Sequence, residues 1–456
     1  MIRLLLSLFL LPLGAHAGDA SPWRLGDAIG APRWLALEGE SRVRYESLDG
    51  QFRGLREGSD QILVFRTLLH ARAELNRAVL GLEIHDARAY LDDAGTPISN
   101  SIVNTHDILQ AYASFRLSKP APGSQGSYVK IGRFTLDIAS RRFVERNDFR
   151  NTINAFTGIH WHAYWGNGTT LDAFFTAPVS KLPVLPRKLA GNEFKFDEER
   201  SRQRFWGVHL QRADLLPGIQ GELLIYGLHE NDTNDFPTPD REVYAPGFRL
   251  FKQPTPGEWD ADLEAAFRFG SQHRTLLPDD TDRLDVRAHM LHAEIGYTFD
   301  NAWQLRVGLE YDLASGDSDP TDDRYERYER FFGTRRGDLG NTGIHGPLTR
   351  SNVSVPGVRV SFGRGRWDGR AHVQWPRLEA ARDAWVAARL RDPTGQSGRR
   401  LGTTFDGRLR YWVVPGNLRL ELGASALWYG KFANEVPGAP DGDRTLYGYA
   451  QATAYF

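Results

Sequence analysis

Tyr447-Gly448-Tyr449-Ala450-Gln451-Ala452-Thr453-Ala454-Tyr455-Phe456 decides the fold. The run alternates. Gly448, Ala450, Ala452 and Ala454 share one face, while Tyr447, Tyr449, Gln451, Thr453 and Tyr455 share the other. Alternation of period two is the mark of a strand. A last strand that keeps its pattern up to a terminal Phe reads as the closing strand of a bacterial outer-membrane β-barrel, because the end of a soluble domain usually frays. At the other end, Met1-Ile2-Arg3 precedes an apolar run from Leu4 to Leu13 and then Ala15-His16-Ala17. That reads as a signal peptide over residues 1–17, with Gly18 the first mature residue. The run is too short to cross a bilayer as a helix.

The same alternation recurs through the chain. Leu37, Gly39, Ser41, Val43 and Tyr45 interleave with Glu38, Glu40, Arg42, Arg44 and Glu46. Leu109, Ala111, Ala113, Phe115 and Leu117 interleave with Gln110, Tyr112, Ser114 and Arg116. Trp303, Leu305, Val307, Leu309 and Tyr311 interleave with Gln304, Arg306, Glu310 and Asp312. Connections are alternately short and long. Tight turns fall at Asn76-Arg77, Gly166-Asn167-Gly168, Leu215 to Gly218, Asp300 to Ala302, Arg364 to Trp367 and Pro415 to Asn417, whereas long polar segments occupy roughly 47–60, 87–106, 137–156, 178–203, 230–245, 271–284, 314–352, 379–403 and 430–443. Short turns on one rim and long loops on the other are the pattern of a transmembrane barrel. The clear strands number seventeen. Both termini on one rim require an even count, so Pro246 to Lys252, with Phe248 and Leu250 flanking Arg249, is taken as one more. The expectation is an all-β, antiparallel transmembrane barrel of about 18 strands over residues 35–456, after a periplasmic lead-in over 18–34. A soluble sandwich or propeller would carry more large residues on its apolar faces, to pack a core.

Composition fits a barrel. Cysteine is absent, the formal net charge is −1, and no long apolar run follows the leader. Near-neutral charge gives no reason to expect nucleic acid as a partner. Of 56 basic residues, seven are Lys and forty-nine Arg. Codon bias alone produces such a ratio, so position must decide what the arginines do.

Several segments resemble the alginate export family of outer-membrane channels. One is Ile131-Gly132-Arg133-Phe134-Thr135-Leu136-Asp137, running on through Ser140-Arg141-Arg142-Phe143-Val144-Glu145-Arg146-Asn147 to Phe149-Arg150-Asn151-Thr152 and Phe156-Thr157-Gly158-Ile159. Another is Asp172-Ala173-Phe174-Phe175-Thr176-Ala177-Pro178-Val179; a third joins Ala314-Ser315-Gly316-Asp317, Tyr328-Glu329-Arg330-Phe331-Phe332-Gly333-Thr334-Arg335-Arg336 and Arg350-Ser351-Asn352. Order and spacing carry the likeness over nearly the whole mature chain. The resemblance implies a monomeric eighteen-strand barrel, an arginine-rich lumen, loops that narrow the passage, and alginate, a polyuronate, as substrate.

Strand period places every second residue inward. The arginines that fall there are Arg42, Arg44, Arg66, Arg72, Arg116, Arg249, Arg268, Arg306, Arg359, Arg370, Arg408, Arg410 and Arg419. On the lipid face near the midplane each would cost about 2–4 kcal/mol. Guanidinium stays charged and meets carboxylates with two parallel donors, so such a wall offers a uronate chain successive sites. Binding must be weak enough to release. Inward acids are also plentiful, among them Glu40, Glu74, Glu83, Asp172, Glu222, Asp262, Glu264, Glu294, Glu310, Asp312, Asp406 and Glu421, so wall arginines have partners for structural pairing as well. Arg141, Arg142, Arg146 and Arg150 stand in a long loop with Glu145 and Asp148. Folded inward, that loop would put four cations at a constriction.

No cofactor is expected. Asp279-Asp280-Thr281-Asp282 and Gly316 to Asp323 are oxygen-rich enough to attract Ca²⁺ but lack EF-hand spacing, and a solvated loop is the plainer reading. His160-Trp161-His162 puts two imidazoles on one strand face, short of a metal site by further ligands that the sequence does not place. The functional expectation is a passive, anion-preferring outer-membrane channel that exports an acidic polysaccharide such as alginate. With no phosphate-binding loop in the chain, energy would come from periplasmic export machinery. The alternatives are an uptake porin for small carboxylates or acidic oligosaccharides, an outer-membrane enzyme, and an adhesin or receptor. No G-x-S-x-G elbow supports the enzyme.

Overall fold

Alternation becomes geometry in the computed structural model, which describes residues 22–54, 58–93, 95–118, 126–165, 168–233, 237–277, 279–334 and 336–456. The signal peptide and the turn residues Gly166 and Asn167 lie outside them. Eighteen long strands follow one another: Leu35–Asp49, Asp60–Leu75, Ala78–Tyr90, Asn104–Arg116, Tyr128–Phe134, Phe156–Trp165, Thr169–Ser180, Gln203–Leu216, Ile219–Glu230, Glu242–Lys252, Trp259–His273, Arg283–Thr298, Arg306–Ala314, Val353–Arg364, Trp367–Gln374, Gly402–Val414, Leu418–Tyr429 and Arg444–Tyr455. Each pairs antiparallel with its chain neighbours. The last strand pairs with the first, Glu40 opposite Tyr455 through Asp49 opposite Leu446, and the sheet closes. Closure removes the sheet edges that a bilayer cannot hydrate.

The terminal Phe456 completes the seam. Its N–H donates to the Gly39 carbonyl (3.0 Å), and its carbonyl accepts from Gly39 N–H (2.6 Å). The Phe456 ring occupies the space that a Cβ on Gly39 would need, so only glycine fits opposite it. Two strand boundaries differ from the sequence reading. The tenth strand starts at Glu242, four residues early, and its ladder to the eleventh has no partner at Ala245 or Pro246, because proline brings no N–H. The thirteenth starts at Arg306, not Trp303: Asn301 Oδ1 accepts from the N–H groups of Trp303 and Leu305 and keeps both in the turn.

The outer face is apolar. Leu69, Phe175, Leu223, Phe267, Leu309 and Leu422 are exposed on the wall. Trp165, Trp259, Trp303 and Trp367 stand beside the short turns, and Tyr90, Trp375 and Trp428 beside the long loops. These are the two aromatic girdles of a membrane barrel.

The inner face is not an empty tube. Long loops 135–155, 315–352 and 375–401 fold into the bore at its loop end. Phe143, Phe331 and Trp385 from those loops pack with wall residues Phe156, Phe174, Phe205 and Tyr226. The loops lock to one another: Trp385 Nε1 donates to the Pro347 carbonyl (2.7 Å), and Arg327 pairs with Asp383 (2.5 Å).

Candidate functional site

The short-turn half of the bore holds a cavity of about 670 Å³. Its walls are the lower parts of the first two and last four strands, and its roof is formed by two infolded loops, with Ser140, Arg141 and Glu145 to Phe149 from one and Thr334, Arg336 and Gly337 from the other. Nine arginines line it (Arg42, Arg66, Arg141, Arg146, Arg336, Arg370, Arg408, Arg410 and Arg419) against four carboxylates, Glu40, Glu145, Asp148 and Glu421. Cations therefore outnumber anions on this surface.

Register explains the crowding. Arg42 stands directly opposite Arg66, and Arg370 directly opposite Arg408. Like charges so placed repel. Arg66 is relieved by Glu40 (2.5 Å) and, with Arg42, by the loop carbonyls of Asp148 and Arg150, which take donors at 2.7 to 3.1 Å. Arg408 and Arg410 share the single carboxylate of Asp368, at 3.1 and 2.7 Å. Arg370 donates only to the backbone carbonyls of Arg336 (2.8 Å) and Gly337 (3.3 Å). Arg419 lies against the rings of Trp412 and Tyr455 and has no carboxylate partner among the described residues.

Other wall arginines are structural. Arg249 pairs with Asp262 (2.7 Å) and Glu222 (3.4 Å), Arg306 with Asp260 and Glu294, and Arg359 with Glu294 and Glu310. Arg268 is buried and donates to the Glu329 carbonyl (3.0 Å). Arg44 pairs with Glu46 (2.7 Å) and stacks on Phe149. Arg72 and Arg116 share Glu74 near the short-turn rim.

The loop arginines separate in the same way. Arg141 is 53% exposed and weakly tied to Asp137 at 3.9 Å. Arg142 is buried in a cage of Glu264 (2.6 Å), Asp338 (2.9 Å) and Asp262 (3.3 Å). Despite the cost of burial, those three charges hold its guanidinium well above the ordinary range. Arg146 pairs with Glu83 (2.5 Å) and Asp148 (3.2 Å). The loop is folded inward, yet Arg142 and Arg150 do not line the cavity. Burial, followed by the charge of Asp137, pushes the Glu145 carboxyl up to about 7.

A segment whose placement the sequence does not reveal runs along the inside of the barrel from the fourteenth strand to the first. The short helical turn Arg336–Leu339 hangs from one wall. Its carbonyls accept from Arg359, Arg370 and Gln374, and its Asp338 is gripped by Arg142 and Arg350. From there Arg336 reaches the seventeenth and eighteenth strands, where it meets Glu421 (2.6 Å) and Tyr449 Oη (2.7 Å), and it stacks over Phe149 at 3.5 Å. Farther along, Asn341 N–H donates to Asp406 (2.9 Å) and Ile344 N–H to Glu46 (2.8 Å). Residues 336–344 form a strut inside the lumen, braced along one arc of the wall. Arg336 and Arg350 stood in plain view in the sequence, but no periodicity tells where a loop side chain points.

Among the described residues, neither acidic stretch brings three ligand groups together. Asp280 caps its own turn through Thr275, and Asp319 does so through Thr321. His160 and His162 do meet a third group, Asp172.

A profile of the family described as alginate export matches residues 33–446, nearly all of the barrel. The chain belongs to the alginate export family. It is an outer-membrane channel protein of the bacterial outer membrane. A search of curated proteins finds no match. Among solved structures, the chain is similar to Pseudomonas aeruginosa OccK3 (OpdO), at 13% identity and TM-score 0.57, over 92% of this chain and 95% of that one. It is similar to Pseudomonas aeruginosa OccK5 (OpdH), at 10% identity and TM-score 0.58, over 92% and 98%. The likeness extends to Pseudomonas aeruginosa OccK2 (OpdF) in complex with glucuronate, at 12% identity and TM-score 0.58, again over 92% and 98%. At such identities these structures share the fold with this alginate export family member, and nothing finer is carried from them.

Proposed function

We propose that this protein is a passive, anion-preferring channel through which an acidic polysaccharide, of the alginate type, leaves the cell. The observation that carries the reading is the cavity wall, with nine arginines to four carboxylates among the described residues and with Arg370 and Arg419 paired with no carboxylate among them. Guanidinium groups stay charged on such a wall, and their paired donors suit two-point contact with a carboxylate. Several sites along one wall let a polyuronate hand each carboxylate on without a deep trap. The barrel acts as a monomer, and periplasmic export machinery drives the polymer. The experiment is current block in a planar bilayer. Uronate oligomers block conductance more strongly than neutral oligosaccharides of equal length; equal block by both rejects the substrate class.

The second reading is uptake of small carboxylates or acidic oligosaccharides. It is favoured by the shared fold with OccK2, whose structure contains glucuronate. Chain length separates the two. Block that strengthens with each added uronate supports a polymer path, whereas free glucuronate entering as readily as it blocks, with no length dependence, supports uptake.

A further inference from the structure

On the outside of the barrel, at its loop end, the pairing of the fourteenth to sixteenth strands runs on past the aromatic girdle. Arg377 is bridged to Ser354 on one side and stands directly opposite Arg400 on the other. Trp375, in the girdle, precedes Arg377 by two residues, about 7 Å at the rise of an extended chain. Arg377, Arg399 and Arg400 are all exposed, and with Trp375 and Pro356 they line one open cavity of about 380 Å³. Among the described residues no carboxylate lines it. Arg377 Nε donates to Ser354 Oγ (3.3 Å), and an Arg399 Nη1 donor goes to the Glu379 carbonyl (3.0 Å). Like charges directly opposite each other repel. Arg88, Arg283 and Arg287, near the same end of other strands, each have an acid beside them: Asp86 at 2.9 Å, Glu242 at 3.9 Å and Asp285 at 2.7 Å.

We propose that this cavity binds the phosphorylated glycolipid of the outer leaflet, with Arg377, Arg399 and Arg400 on its phosphate groups and its acyl chains on the wall below Trp375. The long loops mark the outer rim of the barrel, and the girdle residue Trp375 sets the depth of the lipid interface. Guanidinium meets phosphate with paired, charge-assisted donors, and a basic pocket at the edge of a membrane span suits an anionic head group. A phosphate between Arg377 and Arg400 supplies the negative charge that no side chain lining the cavity brings. One step toward the midplane from Trp375, Val358 is directly opposite Val373, and Val373 directly opposite Phe405, on the same outer face. That row gives acyl chains an apolar bed. A soluble polyanion would use the arginines alone and leave the row uncovered, so the occupant is a lipid.

The test is native mass spectrometry of the folded barrel in detergent, titrated with diphosphorylated lipid A. Wild type retains one molecule per barrel. The triple variant Arg377→Gln, Arg399→Gln, Arg400→Gln binds it at least about tenfold more weakly, and so does wild type offered lipid A stripped of phosphate. The deacylated saccharide that keeps both phosphates also binds wild type at least about tenfold more weakly than the whole lipid. Heat-modifiable mobility on gels reports the folded barrel for the variant, so lost binding is distinguished from lost structure. A wild type that retains no lipid A, a triple variant that binds as tightly as wild type, or equal binding of the dephosphorylated lipid or of the deacylated saccharide overturns the proposal.

Discussion

Whether a wall arginine serves passage or structure depends on which carboxylate can reach it. Arg306 has two acids in contact and Arg359 three, and removing either guanidinium would strand buried carboxylates, at about 3–5 kcal/mol. Arg370 and Arg419 have none in contact among the described residues. Strand period placed all four inward, but it could not say which acid lies across the bore from which base, because that depends on loop folds and on register around the circle. Glu145 gives a test at this scale. Its carboxyl, pushed up to about 7, is mostly neutral below that pH and negative above it. Lys181 in a neighbouring loop, pushed down to about 7 by burial and then by Arg150, loses its positive charge over the same range. Both changes make the interior less positive as pH rises. Chloride preference, measured as reversal potential, is expected to fall between pH 6 and 8, and Glu145→Gln to reduce the dependence. A preference that is flat or grows with pH contradicts the assignment.

The strut is held by contacts that belong to elements, not to single side chains. Loop 135–155 brings Arg142, loop 315–352 brings Asp338 and Arg350, and the wall supplies Arg359, Arg370, Glu421 and Tyr449. Asp338 sits at the centre, and in spite of burial Arg142 and Arg350 hold it well below the usual carboxylate range. Asp338→Asn leaves two buried guanidinium groups under-compensated, a cost of about 3–5 kcal/mol borne by the loops. Larger and noisier single-channel conductance is expected, with the heat-modifiable transition of the barrel unchanged because no strand ladder is touched. Conductance identical to wild type would show that the strut does not limit current. Legibility in the sequence divides at this same boundary. The nine long loops and seventeen of the strands could be read from alternation, and the parity of a barrel with both termini on one rim supplied the weak strand at Phe248 and Leu250. The strut could not, since residues 336–344 have no repeating pattern and their direction is set by Glu46, Asp406 and Glu421 on distant strands.

At the scale of the molecule, the barrel is a lipid-facing wall around a bore of two unlike halves. The loop end is filled by aromatic packing around Phe143, Phe205 and Phe331, and the short-turn end keeps the arginine-lined cavity. A net formal charge of −1 conceals this division, because acids elsewhere balance the count. Local surplus, not total charge, governs which ions enter, since a low-dielectric wall focuses the field of the charges beside the water. The most direct measurement is the reversal potential of single channels in a potassium chloride gradient, compared between wild type and the double variant Arg370→Gln with Arg419→Gln. The account predicts that chloride outweighs potassium in wild type and that the double variant loses much of that preference. Potassium preference in wild type, or a double variant indistinguishable from it, would contradict the account.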